Sequence, residues 1–523
     1  MQQLLKHYTT YCWLIFMAVS PILTAQPTSN PPNIVYILAD DLGYGDVSAF
    51  NENSKLQTEH IDQLARQGVR FTDAHTSSAV CTPTRYSILT GRYNWRSRLK
   101  SSVLSGYSQA LIEPERLTVA ELLQDNGYHT AFVGKWHLGW DWPFKEDADN
   151  IDNLSSNPDV DFSKPVQHGP ADQGFTYSYG FSGSLDMPPY VYVENNQPTS
   201  IPQDSTVSTD TKGFWRKGLT GSDFNHTLVL PHLTDKAVQY INRQAQGDQP
   251  FFLYFALPAP HTPILPTTEF LGKSNTNFYG DFVLQVDDVV RQIVEALEKN
   301  GVREETMIIF TSDNGCSPRA DFDELAQVGH DPSYVYRGHK ADIYEGGHRV
   351  PFIVSWPARI KEAFSTDEVI CTTDFMATAA QLTGATLPDD AAEDSYSLMP
   401  VLMQEQYQQP LREATVHHSI EGRFAIRQGN WKLILWPGSG GWSAPRSSEN
   451  LEELPSVQLY DLAQDPAEEK NLVNEHPEKV KQLTDLLSRY VSEGRSTPGS
   501  SQKNDGPDRW AQLNWMEQTD SGK

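Results

Sequence analysis

Asn33-Ile34-Val35-Tyr36-Ile37-Leu38-Ala39-Asp40-Asp41 is the stretch on which the fold turns. Its continuous apolar run leaves no wet face, which predicts a strand covered on both sides. The run closes on two adjacent carboxylates. Downstream, residues 58–68 have helical spacing, with Ile61, Leu64 and Ala65 on one face and Gly68 as a stop. Residues 117–124 repeat that pattern up to Asn126-Gly127, and a strand follows at 129–134. The alternation continues as a helix at 233–244, a strand at 251–257, an amphipathic helix at 281–299 and a strand at 307–311. Residues 350–355 and 369–372 read as further strands. Such alternation predicts an α/β fold, a large, mostly parallel sheet sandwiched by helices. In these sheets the site lies beyond the carboxyl ends of the strands. Asp40-Asp41, Lys135-Trp136-His137, Pro260-His261 and Asp313-Asn314 all fall there.

Two regions break the alternation. Residues 140–223 are rich in Gly, Pro, Ser, Asn and Asp and read as long loops of the kind that face a substrate. After about residue 400, short antiparallel strands at 424–427, 431–435 and 458–462 precede an amphipathic helix at 475–490. The expected division is a signal peptide at 1–25, a catalytic α/β domain at 26–400, and a smaller α+β subdomain with a polar, mobile tail at 401–523.

The N-terminus combines Lys6, a short apolar run at 12–19 and Leu23-Thr24-Ala25. This pattern predicts a cleaved secretory signal, too short for a stable membrane anchor, and hence a periplasmic or secreted protein. With 38% hydrophobic residues, the chain is not a membrane bundle. A net charge of −26 argues against nucleic acid as a partner, and any anionic substrate must meet a locally basic pocket. Of four cysteines, Cys12 leaves with the signal, and Cys316 and Cys371 are expected as buried thiols.

Cys81 heads Cys81-Thr82-Pro83-Thr84-Arg85, followed by Tyr86-Ser87-Ile88-Leu89-Thr90-Gly91. Pro83 suits the first turn of a helix, which places Cys81 at a helix N-terminus, where backbone N–H groups favour negative charge. Alone, the run also fits a packing cysteine. Asp40, Asp41 and Asp313 cannot all be charged and buried without a cation. With Asn314 they form a hard oxygen set that suits Ca²⁺ or Mg²⁺ better than zinc, although each cluster alone also reads as a turn or a cap. Lys135 and His137, two apart after a strand, share a face.

The form C-x-P-x-R-x-x-x-L-T-G resembles the signature of the type I, formylglycine-dependent sulfatases of the alkaline phosphatase superfamily. The likeness spans about residues 33–385, with a weaker echo at Leu459-Tyr460-Asp461-Leu462-Ala463-Gln464-Asp465-Pro466. It implies that a maturation enzyme oxidises Cys81 to formylglycine, whose hydrate attacks the sulfur of a sulfate ester. It implies that Asp40, Asp41, Asp313 and Asn314 hold one cation, usually calcium, with magnesium as the alternative. Arg85 then assists ionisation of the nucleophile and His137 takes a proton from it. Lys135, His261 and Lys340, the last standing before Tyr344-Glu345-Gly346-Gly347, would bind sulfate, with His261 or Lys340 protonating the departing oxygen. Arg349 matches a common family position and is expected to be structural.

The substrate expected from export and long loops is a sulfated carbohydrate, cleaved from its end. The alternatives are a phosphate or phosphonate ester hydrolase of the same superfamily and a non-catalytic binder of sulfated glycans. Tyr190-Val191-Tyr192 and Gly440-Gly441-Trp442-Ser443 could stack on sugars, with packing as the plainer reading. His168, His330, Arg337, His339 and His348 are candidates for the rim.

Overall fold

The computed structural model describes residues 31–146, 158–407 and 409–516. The expected signal peptide lies outside the described residues. The opening run is β1 (Asn33–Asp40). Its Ile34, Tyr36 and Leu38 enter one hydrophobic core, and Val35, Ile37 and Ala39 enter another on the opposite face. Alternate side chains therefore serve two separate cores, so neither face could carry polar residues.

In chain order β2 (Val69–Phe71), β3 (Ala74–His75), β4 (His129–Lys135), β5 (Tyr177–Phe181), β6 (Val193–Glu194) and β7 (Gln197–Pro198) follow. A hairpin of β8 (Asp204–Ser208) and β9 (Trp215–Thr220) precedes β10 (Phe251–Pro260), β11 (Thr306–Ser312), β12 (Phe352–Ser355), β13 (Phe364–Thr366) and β14 (Ile370–Cys371). The main sheet has ten strands in the order β13-β2-β12-β11-β1-β10-β4-β5-β6-β7. Its centre, from β11 to β5, is parallel throughout. Helices Glu59–Arg66, Val119–Asp125, Val229–Gln244 and Phe278–Lys299 carry the predicted periodicities within a few residues.

The structure corrects several expectations. The strand read at 350–355 is β12, and it runs antiparallel between β11 and β2. The strand read at 369–372 is β14, which pairs with β3 outside the main sheet. The loop region 140–223 contains β5, a full parallel neighbour of β4. Its Gly180 hides it from a propensity reading, yet close approach demands that glycine. A Cβ there would lie 2.0 Å from the Gly134 carbonyl oxygen.

Near the C-terminus, β15 (Thr415–His418), β16 (Phe424–Gln428), β17 (Trp431–Ile434) and β18 (Gln458–Asp461) form an antiparallel sheet. Helix Pro477–Glu493 covers it, with Leu483, Leu487 and Tyr490 packed among Val416, Phe424, Ile426 and Leu433. The described part of the tail expected to be mobile, up to residue 516, is docked. Arg495 and Ser496 are buried, and Leu513 and Trp515 join the same core. Cys316 and Cys371 are buried free thiols, as expected. Among the described residues, no helix is long and apolar enough to cross a membrane.

Candidate active site

Four neighbouring central strands, β11, β1, β10 and β4, end at one place. They deliver Asp313-Asn314, Asp40-Asp41, His261 and Lys135 with His137. Helix Cys81–Thr90 begins at Cys81 and is buried along its whole length. A Cys81 ligand atom and carboxylate oxygens of Asp40 and Asp313 lie within 4.8 Å of one another. The backbone is contorted here: Asp41 and His137 have φ of 66° and 57°, positions where non-glycine residues store strain.

The carboxylates are matched by cations. Lys135 Nζ lies 2.7 Å from Asp40 Oδ2, and Lys340 Nζ lies 2.6 Å from Asp41 Oδ1. Arg85 donates from Nε and Nη2 to Asp313 Oδ2 at 3.0 and 2.8 Å, and from Nη1 to the Lys135 carbonyl oxygen at 2.8 Å. His261 Nε2 stands 3.6 Å from Asp41 Oδ2. Asn314 donates from Nδ2 to Asp41 Oδ1 at 2.7 Å. All ten residues read from the sequence thus meet in one buried constellation.

Burial and charge act differently on the carboxylates. Burial opposes the Asp40 charge, but Lys135, His261 and Arg85 hold its carboxyl well below the usual range. Asp313 goes the other way, pushed up to about 7 by burial and then by Asp40. Two acceptors here, Asp40 Oδ1 and Asn314 Oδ1, are buried without a hydrogen-bond partner. Orphaned hard oxygens beside paired carboxylates fit a divalent ion such as calcium. Burial raises the Cys81 thiol, which keeps it protonated near neutral pH and a poor nucleophile as cysteine.

His137 Nε2 lies 2.8 Å from the Leu104 carbonyl oxygen, and only a ring N–H can bond there. The tautomer is therefore fixed with Nδ1 unprotonated, and that atom has no partner. Burial, then Lys135 and Arg85, hold the ring well below its ordinary pKa, so it stays neutral. Burial and then Lys340 also lower His261, whose ring lies 3.3 Å from Ser184 Oγ.

The candidate rim residues scatter. His330 is buried against Asp46, His348 is fully buried, and Arg337 stacks over Tyr344. His339 bonds the Lys340 carbonyl oxygen, while His168 pairs with Asp141. Tyr190-Val191-Tyr192 is core, whereas Trp442 is 39% exposed, its backbone N–H donating to Asp342 Oδ1 at 2.8 Å. The sequence reading missed Ser184, which touches the His261 ring, and the Asp186–Arg216 pair near it, all in the region read as loops.

A second buried cluster, also missed, joins the two sheets. Lys432 of β17 bridges Glu345 and Glu468 at 3.0 and 2.8 Å. Arg349 reaches Glu345 and Asp73 there, the structural place expected of it. Three histidines, His75, His348 and His417, converge. Their ring nitrogens are already taken by Asp73, one another, Lys432, the Thr76 carbonyl oxygen and Thr415. This cluster is thus a hydrogen-bonded joint between the sheets.

Comparison with known proteins agrees with the geometry. The sulfatase family model matches residues 32–385, and a model of the N-sulphoglucosamine sulphohydrolase C-terminal region matches 338–496. The chain is 34% identical to an N-acetylgalactosamine-6-O-sulfatase of Bacteroides thetaiotaomicron, over 88% of this chain and 93% of that protein. It is 31% identical to human arylsulfatase A, with 93% of each chain covered. A solved structure from work on how B. thetaiotaomicron metabolises multiple glycosaminoglycans aligns with a TM-score of 0.75. It is 32% identical, and the match covers 88% of this chain and 99% of that one. The stretch matched by the family model contains all ten residues of the constellation, and the chain belongs to the sulfatase family as a sulfuric ester hydrolase.

Proposed function

We propose that this is an exported sulfatase that removes sulfate from a sulfated carbohydrate, using formylglycine at position 81 and a calcium ion. The observation that carries the chemistry is the set of orphaned acceptors, Asp40 Oδ1, Asn314 Oδ1 and His137 Nδ1, within the buried constellation in which Asp40 and Asp313 lie against Cys81. Asp40, Asp41, Asp313 and Asn314 would hold the cation. A sulfatase-maturation enzyme would act on Cys81. The N-terminal segment 1–25, by its composition, would direct export, with the catalytic part at 26–400 and the smaller subdomain after it.

With formylglycine at position 81, the aldehyde hydrate would supply the attacking oxygen, and a cation held by Asp40, Asp41, Asp313 and Asn314 would supply positive charge to the site. The protein's own groups do the rest. Arg85, fixed by Asp313 and the Lys135 carbonyl oxygen, presents a permanent positive charge at the foot of the site. Lys135 and Lys340, paired with Asp40 and Asp41, would turn their ammonium groups to the sulfate oxygens and offset charge moving to the leaving group. His137 accepts a proton at Nδ1, the atom its tautomer leaves free. His261, beside Asp41, would give a proton to the departing alcohol oxygen, with Lys340, also paired with Asp41, as the alternative donor.

The carbohydrate reading is supported by the likeness to an N-acetylgalactosamine-6-O-sulfatase at 34% identity. Sulfate release from N-acetylgalactosamine 6-sulfate and a panel of sulfated oligosaccharides tests it, with an aryl sulfate and an aryl phosphate alongside. The reading expects a sugar sulfate to be preferred over the aryl sulfate and the phosphate ester to be poor. Preference for the phosphate ester would overturn it.

A further inference from the structure

Between β5 and β10 the chain makes a long excursion, and its hairpin returns beside the site. β9 brings Arg216 against Asp186. The Arg216 backbone N–H donates to the Asp186 carbonyl oxygen at 3.1 Å, and Nη1 donates to the same oxygen at 3.2 Å. Nη1 also forms a close ion pair with Asp186 Oδ2. The Tyr190 hydroxyl donates to the carbonyl oxygens of Asp186 and Arg216 at 3.1 and 2.7 Å, riveting the two segments together.

The pair reaches from the interior to solvent. Asp186 is 8% exposed, while the Arg216 side chain is 49% exposed. The inner end lies beside the sulfate-facing groups. Ser184, two residues earlier, touches the His261 ring, and burial of the Asp186 carboxyl is outweighed by His261, Arg216 and Lys135. Oδ1 of this buried carboxylate has no partner. A buried acceptor left open calls for a donor, and a carboxylate has none to give. The exposed guanidinium beside it has further N–H groups for acceptors.

We infer that Asp186 and Arg216 form the subsite for ring hydroxyls on the alcohol side of the sulfate ester, and so select a sugar over an aryl group. A ring hydroxyl both donates and accepts, which complements a carboxylate and a guanidinium side by side; an aryl group offers Asp186 no donor. This inference rests on the carbohydrate reading above.

The test is the ratio of kcat/KM for N-acetylgalactosamine 6-sulfate, or the best substrate of the oligosaccharide panel, to that for 4-nitrophenyl sulfate. Asp186→Ala should lower this ratio about 10- to 100-fold, as loss of a hydrogen bond to a charged group predicts. Arg216→Gln, at the exposed end, should lower it in the same direction and needs no buried change. Equal losses on both substrates, or an unchanged ratio, would overturn the subsite. If Asp186→Ala does not fold, Arg216→Gln decides by the same ratio. A wild-type enzyme that turns over the aryl sulfate but no sugar sulfate would overturn the carbohydrate reading itself, and this inference with it.

Discussion

His137 donates Nε2–H to the Leu104 carbonyl oxygen at 2.8 Å, and that one bond turns Nδ1 into a lone acceptor inside the site. A positioned general base contributes on the order of 10²–10⁴-fold. His137→Ala should therefore lose about that much in kcat with the fold intact. Near-normal turnover in this variant, measured as sulfate release, would remove His137 from the role.

The four oxygen ligands should behave as a metal site in the absence of substrate. A ligand at 100 times its Kd stabilises the folded state by about 2.7 kcal/mol. Calcium should thus raise the unfolding midpoint of the wild-type protein over that in a chelator. Asp313→Asn, which removes a carboxylate that burial and Asp40 push up to about 7, should shrink the rise. No calcium-dependent shift in the wild type would contradict the assignment.

The joint between the two sheets should be structural. Lys432 is buried between Glu345 and Glu468. Lys432→Met leaves Glu468 buried without its cation and Glu345 with only Arg349 and Arg427, which typically costs about 3–5 kcal/mol. Denaturant unfolding should show that loss, and a change under about 1 kcal/mol would mean the cluster carries no such strain.

Acid sensitivity should arise partly from His418. Burial holds this imidazole down to about 3, against an ordinary value near 6.5. The unfolded chain takes up a proton below pH 6.5 and the folded one does not until about pH 3. The contribution is therefore fully present above pH 6.5 and is lost as pH falls, by about 1.4 kcal/mol per unit. The stability advantage of wild type over His418→Asn, read from urea midpoints, should shrink between pH 6.5 and 4.5. An advantage constant with pH would show that the ring is not held neutral.

The sequence was most legible where a residue's type and its strand position meet. The run at 33–41 announced a two-faced strand ending in carboxylates, and strand ends at Lys135, Pro260 and Ser312 placed the other groups within reach. β5 was invisible because Gly180, required by the nearby Gly134 carbonyl, weakens the strand signal in a polar neighbourhood. Asp186 and Arg216 were invisible for a different reason: thirty positions apart, they meet only through the β9 hairpin. The histidine joint draws on β3, β15 and helix Glu345–His348, which no local spacing connects.

The central claim is that Cys81 works as formylglycine. Mass spectrometry of the peptide containing residue 81, from a preparation of measured sulfatase activity, tests it most directly. The expected result is a fraction lighter by about 18 Da than the cysteine form, rising in step with specific activity. Full activity in a preparation whose residue 81 is entirely thiol would contradict it.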